Sequence, residues 1–399
     1  VIFVRHTLPG EQIVVEITED NGGSFCRGDA VDILTPAADR VTPPCAHAHP
    51  GGCGGCDFQH VSLSGQRELK ASVVREQLTR LAGIDWPVVV WPLADSGLGW
   101  RRRIRFAVAP NGQLGLRAHR SHKVIPIEVC PLGAPGVGDA AQLRSRWPGL
   151  AEVEVAVDGA AEVAVLSHRP WEARPASGAS GRTTPPRRPA RRGTKPQLTT
   201  KSIAGPERLT YHAAGRTFQV RASGFWQTHP AAADAFTAAV LDAAAPRPGE
   251  GALDLYAGAG LFAAALGEAV TESGAVIGFE SDPRMVADAA ANLADLGWVE
   301  VRAETVTAQS VAAAGSELSD VGVVVLDPPR SGAGRAVMTA LIELRPRVVV
   351  YVACDPAALA RDVRTVLDAG WRLADLSAFD AFPMTHHVEC IATLLPGSN

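Results

Sequence analysis

The stretch LDLYAGAGLF, Leu253–Phe262, decides how the chain is read. A short apolar run ends in a glycine-rich turn and passes into an apolar, helix-forming stretch, which predicts a strand, a tight turn and a helix. Gly258 and Gly260 let the backbone turn sharply and approach a ligand closely. Asp254 lies inside the strand end, placed to meet a cationic or amine-bearing ligand. Roughly 20 residues on, Glu280 closes the next strand, GAVIGFE, where an acid can accept hydrogen bonds from ribose hydroxyls.

Working outward, strand-like and helix-like stretches alternate from about Arg221 to the end. Pro283 marks a helix start and Gly297 its end; VGVVVLDPP and RPRVVVYVACD read as buried strands. The fold class expected is therefore α/β, with a mostly parallel, doubly wound sheet and ligands at the strand C-terminal ends. Two features favour S-adenosylmethionine over a dinucleotide. Ala263 and Ala264 stand where a dinucleotide turn carries its third glycine, and the fourth strand exits through DPPRSG, Asp327–Gly332. The two prolines stiffen a turn able to hold a flat base beside the cofactor.

VVVYVACDPAALARD, Val348–Asp362, puts Cys354 at the carboxyl end of a strand, where such sheets keep their ligands. A free cysteine there is either an inert packing residue or a reactive group. Asp355 beside it is expected to raise the thiol pKa.

The chain has 399 residues, is 46% hydrophobic and 20% charged, and carries a net charge of −4, so it is a soluble-type chain of two or three domains rather than a uniformly basic nucleic-acid binder. No apolar run reaches membrane-spanning length and no secretory signal opens the chain; a cytoplasmic location is expected. Val1 already lies in strand-like sequence, so an upstream start is expected. Positive charge is concentrated between Ser167 and Pro206, with nine Lys or Arg against one Glu. This Pro-, Gly- and Arg-rich insertion, near 168–205, is expected to be disordered, either as a solvated loop or as an arm gripping RNA phosphates. Arg101, Arg102, Arg103 and Arg105 are further candidates for phosphate contact, or a solvated strand.

Seven cysteines and no export signal argue against a disulfide framework. Cys45, Cys53 and Cys56 follow the spacing C-x7-C-x2-C, and Cys130 stands apart in IEVCPL. Four thiolates can hold zinc or a [4Fe–4S] cluster. Three near ligands and one remote favour iron–sulfur over the two close pairs usual for zinc, while His47 and His49 keep zinc open. Cys26 and Cys390 read as structural, Cys390 pointing to the face opposite its neighbour Glu389.

Residues 1–42 read as a small antiparallel β unit, 43–220 as a β-rich central region holding the cysteines, and 221–399 as the catalytic domain. A helix over 62–82, ended by Gly83, could pack on the catalytic domain; Asn111-Gly112 and Asp158-Gly159 mark hairpins.

FWQ (225–227), LDLYAGAG, FE (279–280), DPPRSG, VACDPAALARD, HHVEC and the cluster CAHAHPGGCGGCDFQH occur in an order that resembles the RNA uracil-5 methyltransferases across the whole chain. The resemblance implies a class I methyltransferase domain, with Gln227, Tyr256, Glu280 and Asp327 contacting S-adenosylmethionine, Cys354 as nucleophile and Glu389 as base. It also implies the ribosomal-RNA branch, with a [4Fe–4S] cluster and an N-terminal RNA-binding TRAM barrel, here lacking its opening strands. His229 and Asp355 depart from the family pattern, which commonly has Asn at each. Thiolate attack on uracil C6 would make C5 nucleophilic, and a carboxylate would later remove its proton. The RNA would be single-stranded or looped, so that the base can leave its stack. Three alternatives remain: a transfer-RNA uracil-5 methyltransferase, an enzyme acting on another nucleobase position, and an inactive RNA-binding homologue. No obligate protein partner is implied.

Overall fold

The computed structural model describes residues 1–170, 198–318 and 320–397. Its largest element is an eight-stranded sheet in the order Val299–Ala303, Ala275–Glu280, Gly251–Leu255, Val321–Leu326, Val348–Ala353, Glu389–Leu395, Arg372–Asp380, Val90–Pro92. The first five strands are parallel, and Glu389–Leu395 runs antiparallel to both its neighbours. The runs VGVVVL and VVVYVA are buried along their whole length, as continuous β-branched sequence requires when helices cover both faces.

Helices Ala232–Ala244, Leu261–Val270 and Pro283–Asn292 bury apolar side chains on one side of the sheet. Helices Ala308–Glu317, Arg335–Glu343 and Pro356–Asp368 cover the other. Gly251–Leu255 and Val321–Leu326 are neighbours in the sheet but are followed by chain leaving toward opposite edges. That reversal is a topological switch point, and the crevice outside the strand C-terminal ends at such a point is where this architecture binds ligands.

The helix Leu63–Gln77 ends through a π-type turn, Leu78–Ala82, and Gly83 in the left-handed conformation. Ala71, Val74, Leu78 and Ala82 enter the apolar core of the catalytic sheet, although they belong to sequence just after the cysteine cluster. The remaining β structure comprises a three-stranded N-terminal sheet, a six-stranded antiparallel sheet and the hairpin Arg208–Ala213/Arg216–Arg221. The expected hairpins around Asn111-Gly112 and Asp158-Gly159 both form.

Several expectations need correcting. The N-terminal sheet is mixed, since Ile2–Arg5 lies parallel to the central strand Cys26–Thr35; alternation of polar and apolar residues sets a face but not a direction. The ends of the basic insertion are ordered: Val163–Pro170 pairs with Leu198–Ala204, because a neighbouring strand supplies the ladder that composition alone does not. Residues 171–197, most of that insertion, lie outside the described residues. Leu209, Tyr211 and Phe218 pack into the catalytic core, so that unit extends upstream of residue 221. Pro283 does begin its helix, but the helix ends at Asn292 rather than at Gly297; the Asn292 side chain donates to the Ala259 carbonyl instead.

Candidate active site

Gly251–Leu255 is wholly buried and delivers the turn that follows it to the crevice. Tyr256, Gly258 and Gly260 have φ values of 69°, 56° and 92°, a succession that bends the strand into the helix Leu261–Val270. A Cβ on Gly260 would come within 3.0 Å of Leu293, whereas one on Gly258 would meet only open space. Gly260 therefore serves packing, and Gly258 offers bare backbone to a ligand. Glu280 ties the next strand end to this turn: one carboxylate oxygen accepts from the Gly258 amide at 3.2 Å and the other from Asp282 at 2.7 Å.

Asp254 has no solvent exposure, and neither carboxylate oxygen has a hydrogen-bond partner. Burial, reinforced by the charges of Asp327 and Glu280, pushes its pKa up to about 7. An orphaned buried carboxylate is costly unless a donor or cation completes it. The open backbone at Gly258, the acid on the second strand and the unpartnered Asp254 fit a ribose-bearing, positively charged ligand such as S-adenosylmethionine. Half-buried Gln227 follows exposed Phe225 and buried Trp226. His229 is buried and stacks on Trp100 at 6.0 Å between ring centres.

Cys354 follows the strand Val348–Ala353 directly, and Glu389 opens the strand beside it. In the antiparallel ladder Ala353 stands opposite Cys390, so the next register step sets Cys354 opposite Glu389. Cys354 is half-buried, Glu389 buried, and Asp327 completes the group from the neighbouring strand end. Burial and the charges of Glu389 and Asp327 push the Cys354 thiol up to about 11, with Arg330 opposing them. Glu389 is itself raised well above the ordinary carboxylate range, first by burial and then by Asp327. Cys390 lies wholly inside the core, as its position next to Glu389 on a strand requires.

Asp355 does not play the part expected of it. Its carboxylate turns back to accept from the Ala358 amide at 2.8 Å, capping the helix Pro356–Asp368. The acids that act on the thiol come from two other strands. Arg330 was legible only as a letter of DPPRSG, and His386 and His387 as letters of HHVEC. Arg330 donates to His387 Nε2 at 3.2 Å, and His386 Nδ1 donates to Asp57 at 2.6 Å. Asp57 follows Cys56 directly, so its place beside the catalytic strands had no signal in local sequence.

Cys45, Cys53, Cys56 and Cys130 line one small cavity together with His47 and Arg101. The Gly55 amide donates to Cys53 Sγ at 3.3 Å, and the Gln59 side chain donates to Cys56 Sγ at 3.1 Å. Burial raises the thiols of Cys53, Cys56 and Cys130, that of Cys56 to about 12. Donors aimed at sulfur favour thiolate ligation, so the donor set fits a thiophilic metal or cluster. Among the described residues no three Cys, His, Asp or Glu side chains are grouped as they would be around a single metal ion. His49 does not join the cavity; its ring donates to the Pro50 carbonyl at 2.8 Å.

The arginines read as candidates for phosphate contact, or as a solvated strand, each have a neighbour within the protein. Arg103 and Arg105 pair with Glu154, Arg102 lies over the Tyr211 ring, and Arg101 borders the cysteine cavity.

The model of the tRNA (Uracil-5-)-methyltransferase family matches residues 193–395. An uncharacterized RNA methyltransferase of Streptomyces coelicolor is 44% identical, the match covering 100% of this chain and 88% of the relative. A 23S rRNA (uracil(1939)-C(5))-methyltransferase of a Shewanella species is 31% identical over 98% of this chain and 90% of that protein. Among solved structures, the tRNA (uracil-54, C5)-methyltransferase of Pyrococcus abyssi, in complex with S-adenosyl-L-homocysteine, superposes with a TM-score of 0.69. Identity there is 23%, with 98% of this chain and 95% of that chain covered.

Proposed function

The chain belongs to the tRNA (uracil-5-)-methyltransferase family, enzymes that use S-adenosylmethionine to methylate uracil C5 in RNA, and from that premise we propose that it forms 5-methyluridine in ribosomal RNA with Cys354 as nucleophile and Glu389 as base. The carrying observation is the ladder register that sets Cys354 opposite a buried carboxylate at the mouth of the cofactor crevice.

Cys354 as thiolate would add to C6 of the flipped uracil, turning C5 into an enolate carbon. S-adenosylmethionine, when bound, supplies the methyl group. Asp254, Glu280, Gln227, Tyr256 and Asp327 are the residues that would hold it. Glu389 would then take the C5 proton, and the C6–sulfur bond would break to release product and thiolate. Burial holds Glu389 toward its neutral form and makes its carboxylate a stronger base once ionised, and the charge of Arg330 favours that ionised form. The raised thiol implies that bound cofactor and RNA help to ionise Cys354.

Cys45, Cys53, Cys56 and Cys130 would hold a [4Fe–4S] cluster that staples the central region, the spacing of three near cysteines and one remote one supporting it; zinc, with His47 also at the cavity, is the alternative. The N-terminal sheet would serve as the TRAM-like RNA-binding unit. Ribosomal RNA is supported by the Shewanella relative, and transfer RNA is the alternative target.

The test is tritium release from ribosomal and transfer RNA carrying [5-³H]uridine, with wild type and Cys354→Ala compared. Release by wild type alone supports the assignment; equal release by both overturns it. Iron and acid-labile sulfide in anaerobically purified protein, lost in Cys53→Ser, test the cluster independently of activity.

A further inference from the structure

Asp57 sits where three parts of the molecule meet. Its backbone amide and that of Phe58 donate to the Met384 carbonyl at 2.9 and 3.0 Å, clamping the cysteine loop to the turn that leads into Glu389. Those backbone bonds already fix the main chain, so the Asp57 side chain is free for a second task. One oxygen accepts from His386 Nδ1 at 2.6 Å and from the His386 amide at 3.3 Å. The other lies 3.8 Å from Arg5 of the N-terminal sheet.

The chain of contacts continues inward. The His386 and His387 rings lie 4.1 Å apart between centroids. His387 must be neutral at Nε2 to accept from Arg330, and burial beside His386 and Arg330 lowers its pKa to about 4. Arg330 stands four residues past the strand Val321–Leu326, which runs parallel to and beside Val348–Ala353, so its turn leaves the same end of the sheet as Cys354 and Glu389, where its charge favours their ionised forms. Its guanidinium projects from an exposed turn, so its placement depends on what holds it.

We propose that Asp57 is a positioning residue: through His386 and His387 it holds Arg330 beside Cys354 and Glu389, coupling the four-cysteine loop to the reactive centre. This rests on the reading of Cys354 as nucleophile given above. Loss of the Asp57 carboxylate frees the His386 ring, loosens its neighbour and lets Arg330 swing toward solvent, while the cofactor crevice is untouched.

The experiment measures carbamidomethylation of Cys354 by iodoacetamide at pH 8, quantified by peptide mass spectrometry, in full-length wild type, Asp57→Ala, Asp57→Asn, His386→Ala and the Asp57→Ala/His386→Ala double variant. Each alanine variant is expected to slow modification about fivefold, as when a nearby cation is displaced. Asp57→Asn, which keeps an acceptor, recovers most of the rate. The double variant is no slower than the slower single one, because both act through one bond. Turnover falls by a similar factor, with KM for S-adenosylmethionine unchanged. Wild-type modification rates in both alanine variants, or additive losses in the double, overturn the coupling. If Asp57→Ala disturbs the cysteine loop, His386→Ala carries the test, since that exposed side chain lies outside it. Tritium release by Cys354→Ala separates the two ideas: release would sink the nucleophile, whereas alkylation reads out the coupling whether or not Cys354 is catalytic.

Discussion

Lys70 and Asp380 form an ion pair of 2.6 Å, with side-chain exposures of 0% and 3%, that joins the helix Leu63–Gln77 to the strand Arg372–Asp380. Lys70 also donates to the Phe382 carbonyl at 3.0 Å, at the start of the turn that carries His386 and His387. A buried pair need not stabilise relative to apolar replacements, but removing one partner strands the other. Lys70→Met is therefore expected to cost roughly 3–5 kcal/mol in urea unfolding. Adding Asp380→Leu should return much of that loss; a single variant as stable as wild type would contradict the assignment.

Asp254 is a buried carboxylate, and in the proposed reading a bound ligand offsets the cost of its charge. Its folded pKa of about 7 is raised above the ordinary 3.8, so its contribution is best below the unfolded value and worsens as pH rises through the folded one. Asp254→Asn should raise the melting temperature of the ligand-free protein at pH 8 and have little effect at pH 4. The same change should weaken S-adenosylmethionine binding by calorimetry. A ligand-free variant that melts lower at pH 8 would count against an orphaned charge.

Glu389 acts after methyl transfer in the proposed sequence, so its loss should trap rather than prevent the adduct. Glu389→Gln is expected to form a covalent RNA–protein complex, visible as a denaturing-gel shift, and to slow product release by about 10²–10⁴. Absence of a shifted band, with turnover normal, would remove Glu389 from the role of base.

Glu11 ties the N-terminal sheet to the segment that leaves it, around Ala37 and Arg40. Its carboxylate accepts from Arg40 at 2.6 Å and from the Leu8 and Ala37 amides, and the hydrogen bond from Arg40 is the main reason its pKa falls to about 2. A depressed carboxyl stabilises above its unfolded pKa, near 4.5, and that stability is lost as pH falls toward 2. Hydrogen exchange in residues 2–35 should accelerate across that window in wild type. In Glu11→Gln it should be faster already at pH 6 and change less with acid.

The catalytic sheet was legible because its strands are buried on both faces and its turn needs glycine at φ of 56° and 92°. Cys354 could be singled out because a strand end is a position that sequence can locate, whereas Glu389 and Asp327 took their roles from the family resemblance of HHVEC and DPPRSG. What sequence could not supply was the pairing across distance. Asp355 is adjacent to Cys354 in sequence yet caps a helix, while the acids facing the thiol come from strands 27 residues before and 35 after it. Likewise Asp57 reads as a loop residue until the fold brings it to His386, 329 positions away. The direction of Ile2–Arg5 was illegible for a related reason: parallel and antiparallel edges share one alternation pattern.

The strand that begins with Glu389 follows both Val348–Ala353 and Arg372–Asp380 in sequence, yet it slots between them in the sheet. A ribosome therefore delivers Cys354 and the cofactor turn before the carboxylate that completes them. Until that strand emerges, Val348–Ala353 and Arg372–Asp380 lack the strand that joins them, and in the proposed mechanism Cys354 lacks its base. A chain cut just before Glu389 would consequently leave a gap in the middle of the sheet rather than a trimmed edge, so folding and the pairing of the two reactive groups are completed by one and the same insertion.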